Sequence, residues 1–143
     1  VTLDLPMHPR MEYTAGNGVN VRRGPLLFSV DIAEKARKVT GQMKTSEDFP
    51  AWDITPASPW NYALASDTEI EVEERPVGAM PWLASETPVR LRLKAYEVPS
   101  WTAGKTTPAL PALGFAVTSE ATPIEMIPSG STRIRLTTLP VKK

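Results

Sequence analysis

The chain has 143 residues, of which 41% are hydrophobic and 22% charged, and both values are close to those of globular proteins. Its 16 basic and 16 acidic residues cancel, whereas nucleic-acid-binding proteins usually carry a basic surplus that neutralises phosphate. No apolar run approaches the ~20 residues that cross a bilayer. We therefore expect neither a nucleic-acid partner nor a membrane partner, and without cysteine the chain forms no disulfide.

Proline and turn signals divide the chain into short extended segments. Its 15 prolines, about twice the usual share, disfavour long helices. Gly16-Asn17-Gly18 predicts a hairpin turn, because Asn and Gly tolerate positive φ, and Gly24-Pro25 predicts a bend between two strands. Alternating or apolar runs predict strands over residues 1–7, 19–32 (interrupted by the bend), 60–65, 69–73, 89–98, 114–118, 124–127 and 133–139.

The segments between these strands predict one helix and three loops. Residues 31–39 fit a short helix with Asp31 as its N-cap, and loops are predicted over residues 42–50, 76–88 and 99–113. Many short strands with almost no helix predict an all-β fold, an antiparallel β-sandwich of jelly-roll-like kind. We expect long proline-rich loops, at most one short helix and a single domain over residues 1–143.

The residue types needed for catalysis are scarce. Structural zinc needs about four Cys or His ligands and catalytic zinc about three, but the chain has one histidine, His8, and no cysteine. A Ser-His-acid arrangement would have to use His8, which lies in a stretch held extended by prolines. Gly16-x-Gly18 lacks the third glycine of a phosphate-binding loop. We predict no catalytic, cofactor-binding or metal-binding residue.

Carboxylates are plentiful, and glycoside hydrolysis uses two of them across a cleft. Glu69, Glu71 and Glu73 alternate along one strand, which is typical of a solvated face. Cross-strand charge pairs with a basic row are the expected arrangement, although that row could instead face a neighbouring domain. The candidate basic residues are Arg90, Arg92, Lys94, Arg133 and Arg135.

Tryptophans lie beside prolines or in loops rather than in the most regular strands. Such residues can anchor loops to a core, form an interface between domains or stack on sugar rings, and the sequence leaves all three open. The candidate interface or sugar-contact residues are Trp60, Asn61, Tyr62, Trp82 and Trp101.

Five segments, in this order, carry a resemblance to a known enzyme group. They are Leu-Pro-Met-His-Pro-Arg (5–10), Val-Asn-Val-Arg-Arg-Gly-Pro-Leu-Leu-Phe-Ser-Val (19–30), Pro-Ala-Ser-Pro-Trp-Asn-Tyr-Ala-Leu (56–64), the run from Pro-Trp to Pro-Val-Arg (81–90) and Ile-Pro-Ser-Gly-Ser-Thr-Arg-Ile-Arg-Leu (127–136). The pattern resembles the C-terminal β-sandwich region of the β-L-arabinofuranosidase-like glycoside hydrolases, glycoside hydrolase family 127 and its relatives.

The resemblance implies a domain without its catalytic centre. Enzymes of this family hold the active site, a cysteine nucleophile beside a zinc site of cysteines and a glutamate, in an (α/α)₆ barrel that precedes β-sandwich domains. None of those ligands can be placed in a chain without cysteine. We therefore expect an excerpt of a longer protein, not an enzyme by itself, whose parent acts on arabinose-containing glycans.

The function predicted on this basis is that of a non-catalytic accessory domain. It would pack against and support the catalytic barrel, its expected partner, which this chain lacks. The alternative is a carbohydrate-binding module that holds an arabinose-containing glycan by stacking on loop Trp and Tyr. The resemblance also implies an exported parent, extracellular or periplasmic, although the first residues lack the basic and apolar regions of a signal peptide.

Overall fold

A computed structural model describes residues 7–39, 46–104 and 108–143. These residues form ten strands and one three-residue 3₁₀ turn and contain no α-helix, which confirms the all-β fold. No helix within them has the length and apolar character needed to cross a membrane. The predicted strand over residues 1–7 lies almost entirely outside the described residues, as do parts of two predicted loops, 42–50 and 99–113.

The strands are short, as the density of prolines predicts. They are β1 (Pro9–Thr14), β2 (Gly18–Arg23), β3 (Leu26–Val30), β4 (Glu34–Val39), β5 (Ala51–Pro56), β6 (Tyr62–Ala65), β7 (Ile70–Glu74), β8 (Val89–Glu97), β9 (Thr122–Pro128) and β10 (Thr138–Lys142), with the 3₁₀ turn at Ser129–Ser131.

Eight of the strands form one mixed sheet that closes on itself. β2 pairs with β1 along one edge and divides its other edge between β10 and β3. β8 likewise pairs with β9 along one edge and divides its other edge between β6 and β7. In addition, β10 pairs with β6, and β3 pairs with β9. The sheet therefore folds into two layers, and strands β2 and β8 belong to both. The fold is therefore sandwich-like, with the one parallel pair of the described ladders at β6 and β10.

The hydrophobic core lies between these layers and draws on six strands. In β8 buried apolar side chains alternate with exposed basic ones from Leu91 to Ala95, whereas β6 and β10 each carry three consecutive buried residues. The fully buried larger apolar side chains from these strands include Val19, Val21, Phe28, Val30, Leu64, Leu91, Met126 and Leu139.

Local turn chemistry is confirmed at the two predicted points. Gly16 and Asn17 have φ of 75° and 64° and reverse the chain between β1 and β2. Gly24, at φ 54°, turns β2 into β3. Both reversals need the left-handed region that only Gly and Asn adopt at low cost.

The helix predicted over residues 31–39 is wrong, because residues 34–39 form strand β4. β4 and β5 make a separate two-stranded sheet with six residue pairs, from Glu34 opposite Pro56 to Val39 opposite Ala51. The sequence of β4, Glu-Lys-Ala-Arg-Lys-Val, offers no apolar stripe to hold a helix against the core, so pairing with a distant strand prevails over a weak local preference. Asp31, the predicted N-cap, binds Arg90 instead.

Two predicted strands also differ from the structure. Residues 115–118 carry no regular ladder, although Thr118 donates its backbone N–H to the Glu97 carbonyl at 2.9 Å. The last strand begins at Thr138 rather than at Arg133. Residues 133 and 134 give their backbone N–H groups to the carboxylate of Glu34, so they have no N–H left for a sheet.

Arg90 belongs to the basic row that the sequence predicts to pair across strands with a solvated acidic face, but its side chain is only 9% exposed. Its guanidinium contacts Asp31 at 2.8 Å, Glu125 at 2.7 Å and the carbonyl oxygen of Ala84. The guanidinium thereby joins the end of β3, strand β9 and the loop between β7 and β8. Arg92 keeps the predicted exposure, at 46%.

Replacing Arg90 by Met should remove this junction and leave Asp31 without its cation, while Glu125 keeps only its 3.2 Å contact with Arg92. Breaking a buried ion pair costs about 3–5 kcal/mol of the free energy of unfolding, and partial exposure of both carboxylates places this variant at the lower end. Urea denaturation followed by circular dichroism measures the loss. Arg92→Met, which removes an exposed cation from the same strand, is the matched control and should cost less than about 1 kcal/mol. Equal losses for the two variants would contradict the assignment.

Candidate functional site

Four of the five predicted contact residues meet at one end of strands β6 and β8. The rings of Trp60 and Trp101 pack edge to face, with 5.1 Å between centroids and an interplanar angle of 64°. Asn61 donates from its side-chain amide to the Val98 carbonyl at 2.8 Å, and the Val98 N–H donates to the Asn61 carbonyl at 2.7 Å. The cluster ties the segment before β6 to the end of β8.

Two aromatic residues of this cluster, Tyr62 and Trp101, are buried, and Trp60 is half-buried against them. Trp101 is 4% exposed and donates its indole N–H to the Ala109 carbonyl at 2.8 Å, which anchors the long loop after β8. Tyr62 is 8% exposed. Burial, and then the charge of Glu97, raise the pKa of the Tyr62 phenol. Of the readings that the sequence left open, loop and core anchoring fits these residues.

Trp82 is the exception, with 58% of its surface exposed. It lies in the loop between β7 and β8, beside a cleft of about 570 Å³. Leu83 and Ala84 of the same loop line the cleft, and residues 31–34 and 130–133 together with Arg135 form its other walls. This cleft is the candidate functional site.

Glu34, the first residue of β4, organises one wall of the cleft. Its carboxylate accepts the backbone N–H groups of Arg133 at 2.9 Å and Ile134 at 3.0 Å, and the Thr132 hydroxyl at 3.2 Å. The Arg133 guanidinium adds an ion pair at 2.6 Å. One carboxylate therefore holds the β4–β5 hairpin against residues 132–134.

The same contacts set the charge of Glu34. Burial raises the pKa of this carboxyl, but the hydrogen bonds from Arg133 and Ile134 and the charge of Arg133 outweigh burial, so the pKa lies below its ordinary value of 4.5. Glu34 is thus a fixed anion at neutral pH, already neutralised by Arg133.

Two further charged side chains line the cleft and differ in how they are paired. Asp31 is bound by Arg90. Arg135 is exposed; its Nε donates to the Thr132 carbonyl at 3.3 Å, and no carboxylate pairs with it in the described part of the chain. The residues that line the cleft therefore include both an exposed guanidinium and an exposed indole.

All three carboxyl groups whose pKa values are displaced have them lowered by neighbouring arginines. Hydrogen bonds from Arg75, with the charges of Arg75 and Arg92, lower the pKa of Glu73 against a smaller effect of burial. Burial raises the pKa of Glu125, but bonds from Arg90 and Arg92 lower it further. With Glu34, all three are ionised at neutral pH, whereas a glycosidase acid needs a raised pKa.

No cluster of three His, Cys, Asp or Glu side chains that could hold a metal ion occurs among residues 7–39, 46–104 and 108–143.

The predicted acidic row lies on a different surface. Glu69, Glu71, Arg92 and Lys94 line a larger depression of about 720 Å³ across β7, β8 and β9. The predicted cross-strand pairing is confirmed for Glu73, which meets Arg92 at 2.7 Å. Tyr96 is the aromatic residue that lines this depression, and the Lys142 ammonium lies over its ring, 3.3 Å from the ring centroid. This surface has the character of a solvated charged face.

An exposed apolar surface adjoins the cleft. The loop of residues 76–88, here called the apolar loop, exposes Val77 (73%), Met80 (41%), Trp82 and Leu83 (40%). Its backbone is ordered by its own bonds, Leu83 N–H to Met80 carbonyl at 2.9 Å and Glu86 N–H to Leu83 carbonyl at 3.0 Å. Exposed apolar residues gathered on one ordered loop are typical of contact surfaces.

Comparison of the chain with models of protein families finds no match, and neither the curated proteins nor the solved structures give one. The resemblance to the β-L-arabinofuranosidase-like enzymes accordingly stays a prediction.

Tryptophan substitutions should separate the buried cluster from the cleft. Trp101→Ala removes a buried ring and its hydrogen bond and should cost about 3–5 kcal/mol of the free energy of unfolding. Trp82→Ala removes an exposed ring and should change stability by less than about 0.5 kcal/mol. Urea denaturation of both variants tests the assignment. A large loss in Trp82→Ala would show that this ring is part of the packing.

Glu34→Gln should give a stability loss that depends on pH. Because the pKa of Glu34 is lowered in the folded state, its carboxylate stabilises the fold above pH 4.5, and this stabilisation is lost as pH falls through the lowered value. We expect the variant to lose about 1–2 kcal/mol at neutral pH and markedly less in strong acid. Denaturant unfolding curves of the variant and the parent chain at neutral pH and in strong acid measure the loss of the free energy of unfolding. The exposed Glu71→Gln is the control, and a pH-independent loss in Glu34→Gln would refute the assignment.

Proposed function

We propose that the chain is a non-catalytic accessory β-sandwich domain of a glycoside hydrolase-like protein. The apolar loop would pack against an (α/α)₆-barrel catalytic domain that this chain lacks. The observation that carries the proposal is the apolar loop itself, which exposes four large apolar residues on an ordered backbone beside a cleft. An exported parent that acts on arabinose-containing glycans belongs to the proposal and rests on the sequence resemblance alone.

The way the apolar loop is held supports a docking role. Pro76, Pro81 and Pro88 restrict its backbone, Arg90 binds its Ala84 carbonyl, and Arg75 N–H donates to the Pro88 carbonyl at 2.8 Å. A loop fixed before contact loses little conformational entropy when it docks. Apolar side chains that are exposed at fixed positions can then contribute the full free energy of their burial to the stability of the interface.

The charge state of the carboxylates supports a non-catalytic role for the chain. Glu34, Glu73 and Glu125 are held ionised by arginines, and each is committed to ion pairs within the fold. Carboxylates that are engaged in this way hold strands and loops in position. They offer no proton donor of the kind that glycoside hydrolysis needs.

The docking proposal is tested with the barrel encoded in the same reading frame, produced separately and titrated with this chain in a calorimeter. We expect association, and we expect the double variant Met80→Ser, Leu83→Ser to weaken it at least about tenfold, since two apolar contacts are lost. Tyr13→Ser is the matched control, because Tyr13 is 59% exposed on β1, outside the apolar loop. A reading frame without such a barrel, or a double variant that binds as tightly as the parent chain, would refute the proposal.

A carbohydrate-binding module is the second candidate, and one observation favours it. Tyr62 and Trp101 are buried and Trp60 is half-buried against Trp101, whereas Trp82 is 58% exposed and is the most accessible of the predicted stacking residues. That ring lies in a cleft lined by charged and hydroxyl side chains, the combination that orients sugar ligands. The two candidates compete for Trp82, because its ring belongs to the apolar loop and also lines the cleft, so docking through this ring would cover the face that stacks on sugar.

A further inference from the structure

We propose that the cleft beside Trp82 binds a sugar residue bearing a carboxylate, such as a hexuronate, with Trp82 against the ring and Arg135 at the acid group. This inference rests on the carbohydrate-binding candidate above and adds the class of sugar. It depends on the charges of the cleft, on its size and on the position of the exposed indole.

The charges of the cleft leave one cation uncompensated. Asp31 is neutralised by Arg90 at 2.8 Å, and Glu34 by Arg133 at 2.6 Å. Arg135 has only the 3.3 Å bond from its Nε to a carbonyl, and no acidic partner within the part of the chain that the structure describes. Its two terminal amino groups can therefore receive a planar carboxylate in the bidentate geometry that guanidinium prefers.

The shape and the remaining walls fit a sugar ring rather than a bare anion. A volume of about 570 Å³ lies within the range of small-molecule sites. The exposed face of Trp82 offers an apolar platform for ring C–H groups. The half-buried Ser131 adds a hydroxyl able to donate to or accept from sugar hydroxyls.

The two carboxylates in the walls decide between a carboxylate ligand and a phosphate. Asp31 and Glu34 lie in the walls and would repel a dianion, even though each is paired. A monoanion balances the single uncompensated Arg135. The site thus favours a sugar residue that brings one singly charged acid group and several hydroxyl groups into the cleft, which describes each uronic acid residue of an oligosaccharide.

Calorimetric titration of the 143-residue chain with trigalacturonic acid and with its fully methyl-esterified form tests the proposal. The ester keeps the rings and removes the charge. We expect the acid to bind at least about tenfold more tightly than the ester. Arg135→Gln should abolish that preference, and Trp82→Ala should weaken binding of both forms. Arg10→Gln, which removes an arginine from β1 outside the cleft, is the control and should change neither affinity.

Several outcomes would overturn the proposal. They are equal affinity for acid and ester, an acid preference that survives Arg135→Gln, absence of binding, or inorganic phosphate displacing the trisaccharide at a comparable concentration. A parallel titration with neutral arabino-oligosaccharides distinguishes carbohydrate binding in general from recognition of the acid group. If these bind in a Trp82-dependent way while trigalacturonic acid does not, carbohydrate binding stands and acid recognition fails. Docking to the barrel is measured independently.

Discussion

A single buried cation, Arg90, connects the parts of this fold that local structure leaves separate. Its guanidinium takes carboxylates from the end of β3 and from β9, and a carbonyl from the apolar loop. A charged group that is removed from water must keep its partners at hydrogen-bonding distance, because only those interactions offset the free-energy cost of its desolvation. The chain segments that bring those partners are therefore held in one arrangement. The apolar loop, which lacks a ladder of its own, takes its position from this contact and from its prolines.

The cleft follows from two such carboxylate–arginine junctions placed side by side. Arg90 with Asp31 fixes the apolar loop against the end of β3, and Glu34 with Arg133 fixes the β4–β5 hairpin against the segment before β10. The space between the two junctions is the cleft. Trp82 and Arg135 both line it. The ion pairs that hold the fold together thus also neutralise most of the charged side chains in the cleft. Arg135, which has no carboxylate partner among the described residues, leaves the cleft with a positive charge.

The sequence predicts those features that depend on neighbouring residues. The Gly16-Asn17 turn and the alternation of β8 are local patterns, and both are found in the structure. β4 could not be predicted in this way, since its stability comes from a partner strand more than ten residues away. Arg90 and Arg92 look alike in sequence, and only Asp31 and the Ala84 carbonyl distinguish them. The tryptophans likewise share proline or loop surroundings. Tertiary packing alone shows that Trp101 anchors a loop while Trp82 faces solvent.

The pairing of β10 with β2 and β6 has a consequence for biosynthesis. Thr138 pairs with Asn20, 118 positions earlier, and Val141 with Leu64. Contacts over such separations form slowly, because the entropy of a long loop is lost before the contacts form. A nascent chain therefore carries β2 and β6 with unsatisfied edges until β10 has left the ribosome. Unpaired edges template association with other chains. The edge of β6 is therefore open for at least the time taken to translate the residues between β6 and β10, and the edge of β2 for longer.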